Sequence, residues 1–205
     1  MPTEPAPPVP DRVDLDLFEG EARLWPAAFA PAEAAQLFDE LRCGIDWRQE
    51  AILIFGQRRL VPRLVAWHGD PGASYVYSGV DHAPQPWTQP LERARDRVSA
   101  LTGATFNAVL LNLYRDGRDG MGWHADDEPE LGLDPVIASV SLGATRRFCL
   151  RHRRRRDLKV ELPLPHGSLL CLRGPTQHHW LHALPKTRQP VGERINLTFR
   201  QVAIK

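Results

Sequence analysis

His124 and Asp126 stand two residues apart, directly after a glycine-rich turn, Asp116-Gly117-Arg118-Asp119-Gly120-Met121-Gly122. On extended backbone such a pair points to one face, so both side chains can reach one ion. The late segment His178-His179-Trp180-Leu181-His182 offers a third ligand. His178 and His182 share a face if that segment is extended, and spacing alone does not choose among the three imidazoles. Two imidazoles and one carboxylate leave coordination positions open, the donor set of non-haem Fe(II) oxygenases. A zinc hydrolase accepts the same donors. In a chain with eight histidines a His-x-Asp pair is weak by itself.

What tips the balance toward iron is Arg194-Ile195-Asn196-Leu197-Thr198-Phe199-Arg200, in which polarity alternates strictly. As a strand it puts Arg194, Asn196, Thr198 and Arg200 on one face and the apolar residues on the other. A guanidinium turned into a cavity needs an anionic partner, and arginine recognises carboxylates through two parallel hydrogen bonds. Asn112 and Tyr114, two apart on an earlier strand, can add neutral hydrogen bonds to the same ligand. An acidic co-substrate lying between the metal and the two arginines accounts for the pattern; the alternative is a solvated edge strand.

The elements that must carry these residues follow from periodicity. Ala34, Leu37, Phe38 and Leu41 recur at helical spacing behind Pro31, and a second helix starts near Pro90, buries Leu91, Ala94, Val98 and Leu101, and stops at Gly103. Residues 51–55 and 63–67 read as the two strands of a hairpin joined by Gly56-Gln57-Arg58-Arg59. Residues 106–114, 136–142, 147–150, 159–162, 168–172 and 194–202 are short, β-rich and separated by turn residues, which predicts a β-sandwich or jelly roll with helices supporting one face. The length of 205 residues fits one buried core, and 42% hydrophobic with 25% charged residues is ordinary for a globular domain. No apolar run approaches a membrane span. Cys43, Cys149 and Cys171 read as free thiols in a reducing interior. The net charge of +1 is uninformative, yet eight basic residues fall between Arg146 and Lys159. Residues 1–20, with their proline-rich start, read as a flexible tail and residues 21–205 as one domain. Oligomeric state is unreadable, and a monomer is the default.

At this point the chain resembles the AlkB family of Fe(II)- and 2-oxoglutarate-dependent dioxygenases, over about residues 52–202. The motif Asn-x-Tyr…Asp…Gly-x-His-x-Asp-Asp-Glu stands here as Asn112, Tyr114, Asp119, Gly122, His124, Asp126, Asp127 and Glu128, and His…Arg-x-Asn-x-Thr-x-Arg as His182, Arg194, Asn196, Thr198 and Arg200. The resemblance implies a β-rich α+β architecture: a double-stranded β-helix (jelly roll) over about residues 104–205, supporting helices, and an N-terminal nucleotide-recognition lid and hairpin over about residues 50–80. It implies Fe(II) on His124, Asp126 and His182, 2-oxoglutarate on Asn112, Tyr114, Arg194, Asn196, Thr198 and Arg200, and O2 as the other co-substrate.

The match is strongest to the branch that repairs duplex DNA. There Phe55-Gly56 would be the wedge of a hairpin continued by Val61-Pro62-Arg63, although the turn Gln57-Arg58-Arg59-Leu60 departs from the family's pattern. Tyr75, Val76, Tyr77 and Ser78 would belong to the lid. A base inside a duplex is out of reach of a metal in a cleft, so the target must be flipped or single-stranded. Phe55 would fill the gap, Tyr75 and Tyr77 would stack on the base, and Asp127, with Glu128 beside it, would meet the exocyclic amino group or charge of an alkylated base. Arg151–Arg156 reads as a loop facing phosphates or as a solvated basic loop. The activity the resemblance implies is oxidative demethylation of 1-methyladenine and 3-methylcytosine in DNA, by a protein expected in a bacterial-type cytoplasm. The competing readings are the same oxygenase on RNA, protein or a small molecule, and a non-catalytic nucleic-acid-binding module.

Overall fold

Fifteen short strands and three helices make up the computed structural model, which describes residues 10–54, 57–73, 75–77 and 80–204. In chain order the strands are β1 (Val13–Leu17), β2 (Gly20–Trp25), β3 (Ala51–Ile54), β4 (Gln57–Leu60), β5 (Leu64–Gly69), β6 (Tyr75–Tyr77), β7 (Val80–His82), β8 (Ala108–Tyr114), β9 (Met121–His124), β10 (Ile137–Gly143), β11 (Arg146–His152), β12 (Lys159–Leu164), β13 (Ser168–Arg173), β14 (Trp180–Leu184) and β15 (Arg194–Arg200). The helices are α1 (Pro31–Gly44), α2 (Gln89–Thr102) and the single turn α3 (Thr176–His179).

A seven-stranded sheet runs β1-β2-β13-β10-β15-β8-β5 and a four-stranded sheet β12-β11-β14-β9, with every pairing in both antiparallel. This is the jelly-roll arrangement expected from the strand pattern. Each sheet has a side facing the other, and the large sheet has a second side covered by helices. Ile195, Leu197 and Phe199 of β15 join Val109, Leu111, Leu113, Val140 and Leu142 in a cluster that packs on Leu37 and Leu41 of α1 and Leu91 and Val98 of α2. The two helices exist where periodicity placed them, because proline opens each and the apolar positions repeat every third or fourth residue. Gly103, at φ 70°, ends α2 in the left-handed conformation, and its N–H bonds to the Ser99 carbonyl.

Three expectations change. β3 pairs with β4, Ile54 opposite Gln57, whereas Leu64–Gly69 becomes the edge strand of the large sheet beside β8. The break falls at Pro62, which has no N–H to continue a ladder, and five of the six β5 residues are buried, as suits a strand of the main sheet. Part of the span 1–20 expected to be tail is strand: Val13–Leu17 forms a hairpin with β2, which in turn pairs with β13, while residues 1–9 lie outside the described residues. The alternation Val13-Asp14-Leu15-Asp16-Leu17 is the signal that marks it. Arg151 and His152 close β11 and do not belong to a loop.

Leu197 is fully buried on the helix side of β15, away from the polar face. Leu197→Ala is expected to cost about 2–5 kcal/mol of unfolding free energy. A urea titration of the metal-free protein measures this, with an unchanged denaturant slope.

Candidate metal and co-substrate site

Register does the first part of the assembly. β14 pairs with β9 so that His182 lies directly opposite His124, and the ring centroids are 4.1 Å apart. Asp126 follows β9 two residues later. The ligand atoms of His124, Asp126 and His182 all lie within 4.8 Å of one another. Of the three late histidines, the backbone brings His182 beside His124 and Asp126. Residues 176–179 form a helical turn, which sends His178 toward the Leu133 carbonyl and Asp134 and His179 toward Glu19, and the chain turns extended only at Trp180.

The three side chains are tuned for a cation. His124 Nδ1–H donates to the Gly122 carbonyl at 2.9 Å, which assigns the tautomer and leaves the Nε2 lone pair for a metal. Burial pushes the His182 imidazole down to about 3, helped by His124, so it is neutral and ready to ligate at any ordinary pH. Burial by itself would raise the Asp126 carboxyl, but Arg200 and the two imidazoles outweigh it and hold it below the usual range. Arg200 Nη2 is 2.7 Å from Asp126 Oδ1, and both side chains are buried. One of the two strand-borne arginines thus meets the protein's own carboxylate.

The large sheet supplies the other wall. Asn112 pairs with Asn196 and Tyr114 with Arg194 across β8 and β15, so four of the six residues expected to hold an acidic ligand form one block. Arg194 is 2% exposed, donates to Ser141 Oγ at 2.8 Å, lies over the Tyr114 ring at 5.3 Å, and keeps a buried Nε with no hydrogen-bond partner among the described residues. Burial lowers its pKa to about 10, the mark of a cation waiting for an anion. Asn196 spends both amide hydrogens on β10, at Ser139 Oγ and the Val140 carbonyl, and its oxygen accepts from Thr198. These two therefore stiffen the wall. Arg63, expected on the substrate surface, is 4% exposed and donates Nε–H to Asn112 Oδ1 at 2.7 Å, which orients that amide from behind. The cleft between these walls is lined by all nine residues expected to hold metal and co-substrate, together with Leu110, Ser139, Phe148 and Leu170.

The glycine-rich turn is held from below. Asp119 accepts from the Arg115 backbone and guanidinium, and Arg146 donates to the carbonyls of Asp116, Asp119 and Pro185. A side chain at Gly120 would meet the Leu184 carbonyl at 2.7 Å, so glycine is what lets the turn lie against β14.

Of the substrate-facing expectations, Phe55, Gly56 and Ser78 lie outside the described residues, as do the side chains of Tyr75, Val76 and Tyr77, which form β6 against β7. Asp127 is exposed and forms an ion pair with Arg153 at 2.6 Å. Glu128 caps the 3-10 turn Pro129–Leu131. Sequence reading missed Gln177, which is fully buried and accepts the Asp126 backbone N–H at 2.9 Å.

A second group with metal-like spacing, Glu19, His152 and His179, behaves differently. His152 Nδ1 accepts backbone N–H groups from Arg154 and Arg155, so its proton sits on Nε2 and donates to Glu19 at 3.1 Å. That nitrogen has no lone pair to offer a metal. The group pins the β1–β2 turn to the end of β11.

The site and fold define a non-haem iron oxygenase of the jelly-roll type, and residues 21–200 match the family model of the 2OG-Fe(II) oxygenase superfamily, to which the chain belongs. Within it the protein is a member of the AlkB family. It is 46% identical over 184 residues to the DNA oxidative demethylase ALKBH2 of Bos taurus and 45% identical over 186 residues to that of Homo sapiens. Those alignments cover 85% and 86% of this chain and 66% and 71% of the relatives. The solved structure of OsALKBH1 superimposes with a TM-score of 0.66 at 16% identity, covering 92% of this chain and 100% of that one, which bears on the fold. Fe(II), 2-oxoglutarate and O2 are the cofactor and co-substrates of the superfamily, and the donor set, the free Nε2 of His124 and the anion-seeking Arg194 suit them.

Asp126→Ala leaves the buried Arg200 without its carboxylate. The fold is therefore expected to lose roughly 3–5 kcal/mol, a cost the motif alone does not reveal. Denaturant unfolding of the metal-free variant checks this, and equal stability with wild type would mean that the pair contributes nothing.

Proposed function

We propose that this chain is a DNA oxidative demethylase that removes methyl groups from 1-methyladenine and 3-methylcytosine. The observation that carries the reading is the convergence of His124, Asp126 and His182 beside a buried, anion-seeking Arg194. The relatives' name as DNA oxidative demethylases supplies the substrate class. Fe(II) bound with 2-oxoglutarate and O2 supplies the oxidising power to hydroxylate an N-methyl group, which then leaves as formaldehyde, with succinate and CO2 as co-products.

The chain's own contribution is placement. His124, Asp126 and His182 would hold the metal on one face, leaving positions open for the co-substrate and O2. Arg194 and Tyr114 would fix the far carboxylate of 2-oxoglutarate, with Asn112 donating beside it. Arg200 would hold Asp126 in a single orientation and favour negative charge at the near end. The apolar cleft residues Leu110, Phe148 and Leu170 keep water from the reacting centre.

On the substrate side, Asp127 faces solvent and is held by Arg153, so a phosphate that engages Arg153 would release the carboxylate toward an alkylated base. Arg154 and Arg156, both exposed, would add to the phosphate track. A duplex with the damaged base flipped out, Phe55 filling the gap and Tyr75 and Tyr77 on the base, is the substrate state this reading favours. A monomer acting on cytoplasmic DNA goes with it. No described helix is long and apolar enough to cross a membrane.

Formaldehyde and succinate release from methylated duplex, methylated single strand and methylated RNA tests the proposal. Turnover is expected on DNA, abolished by a chelator and restored by Fe(II). Ignoring both DNA substrates while accepting RNA would overturn it. Arg194→Met is expected to raise the KM for 2-oxoglutarate about 10- to 100-fold, the loss of one charge-assisted contact. Steady-state kinetics at varied 2-oxoglutarate measures that change.

A further inference from the structure

We infer that Gln177 is the positioning residue for the metal-ligand carboxylate, and that the single turn α3 carries it for that purpose. Asp126 lies just beyond the end of β9, where no ladder partner holds its backbone. Its N–H is buried and must find an acceptor, and the one it finds is Gln177 Oε1, 51 residues away in sequence. That bond also settles which end of the amide is oxygen, because an N–H can only be met by an acceptor. Gln177 is 0% exposed, and its Nε2 is buried with no hydrogen bond among the described residues. A glutamine that serves only packing would not leave a donor in that state, whereas one retained for its oxygen would.

The same residue holds the neighbouring acid through its backbone. Arg153 donates to the Gln177 carbonyl at 3.1 Å while pairing with Asp127, so α3 reaches residue 126 by a side chain and residue 127 by a guanidinium. Arg200 constrains the Asp126 carboxylate from the opposite wall. With its backbone and its carboxylate each tied, Asp126 has one orientation relative to the two imidazoles before any metal arrives. Partners of metal ligands of this kind typically contribute about 10- to 100-fold to metal affinity. The inference rests on the His124, Asp126 and His182 ligand set proposed above.

Co(II) titration of the metal-free protein, followed by its visible absorption, tests the two claims separately. Wild type is expected to bind with a site spectrum that Asp126→Ala abolishes; absence of that spectrum in wild type removes the ligand set itself. Gln177→Met keeps length and burial and removes the acceptor. It is expected to weaken Co(II) binding about 10-fold and to alter the spectrum, while the far-UV circular dichroism of the metal-free protein stays close to wild type and its melting temperature falls by a few degrees, about what one orphaned buried N–H costs. Gln177→Glu, which keeps an oxygen for the Asp126 N–H, is expected to recover most of the spectrum. Wild-type Co(II) affinity and spectrum in folded Gln177→Met would overturn the positioning role. If Gln177→Met does not fold, Gln177→Asn is read by the same titration, and an unperturbed site there overturns it equally.

Discussion

A carboxylate buried as fully as that of Asp126 cannot stay charged unless something cationic is next to it. In this protein that partner is Arg200, at 2.7 Å, and a metal ion shared with His124 and His182, as proposed above, would be a second. Much of the architecture follows from satisfying that one group. β15 must end at the cleft to bring Arg200, β9 and β14 must pair in register to bring the imidazoles together, and α3 must fold back to meet the Asp126 backbone. β15 and β14 are held by buried apolar residues, Ile195, Leu197 and Phe199 on the one and Trp180 and Leu184 on the other.

The two walls of the cleft divide the chemistry. The small sheet side carries His124, Asp126 and His182, the proposed metal ligands, and the large sheet carries the cationic and amide groups that would meet an acidic ligand. An ion pair across the gap, Arg200 to Asp126, ties the walls together at one end of β15. At the other end Arg194 is held by Tyr114 and Ser141. A molecule with a carboxylate at each end and a metal-binding group at one of them matches that division, and that is the shape of 2-oxoglutarate.

Much of this was legible in residue order. The strict alternation of residues 194–200 announced one apolar and one polar face, and both faces are where the alternation put them. Both helices were marked by proline at the start and apolar spacing within, since local sterics decide those features. Less legible were contacts between residues far apart in the chain. Arg63 looks like a surface residue of a hairpin, and only the crossing of β5 beside β8 turns it toward Asn112. Gln177 sits in a segment whose neighbours are histidines, and nothing in its surroundings marks it as the acceptor for residue 126.

By itself the sequence determined the donor types, the side of each strand on which they stand, and the family they belong to, because alternation and motif spacing are local properties of the chain. The tertiary structure decided that His182, to which the family motif already pointed, lies opposite His124 while His178 and His179 do not, because a helical turn at Thr176–His179 rotates those two away before the strand begins. It also decided that Arg200 pairs with Asp126, since that contact spans 74 residues and two sheets. Such pairings depend on strand order and register, which are set by packing the whole core and not by any short stretch of residues.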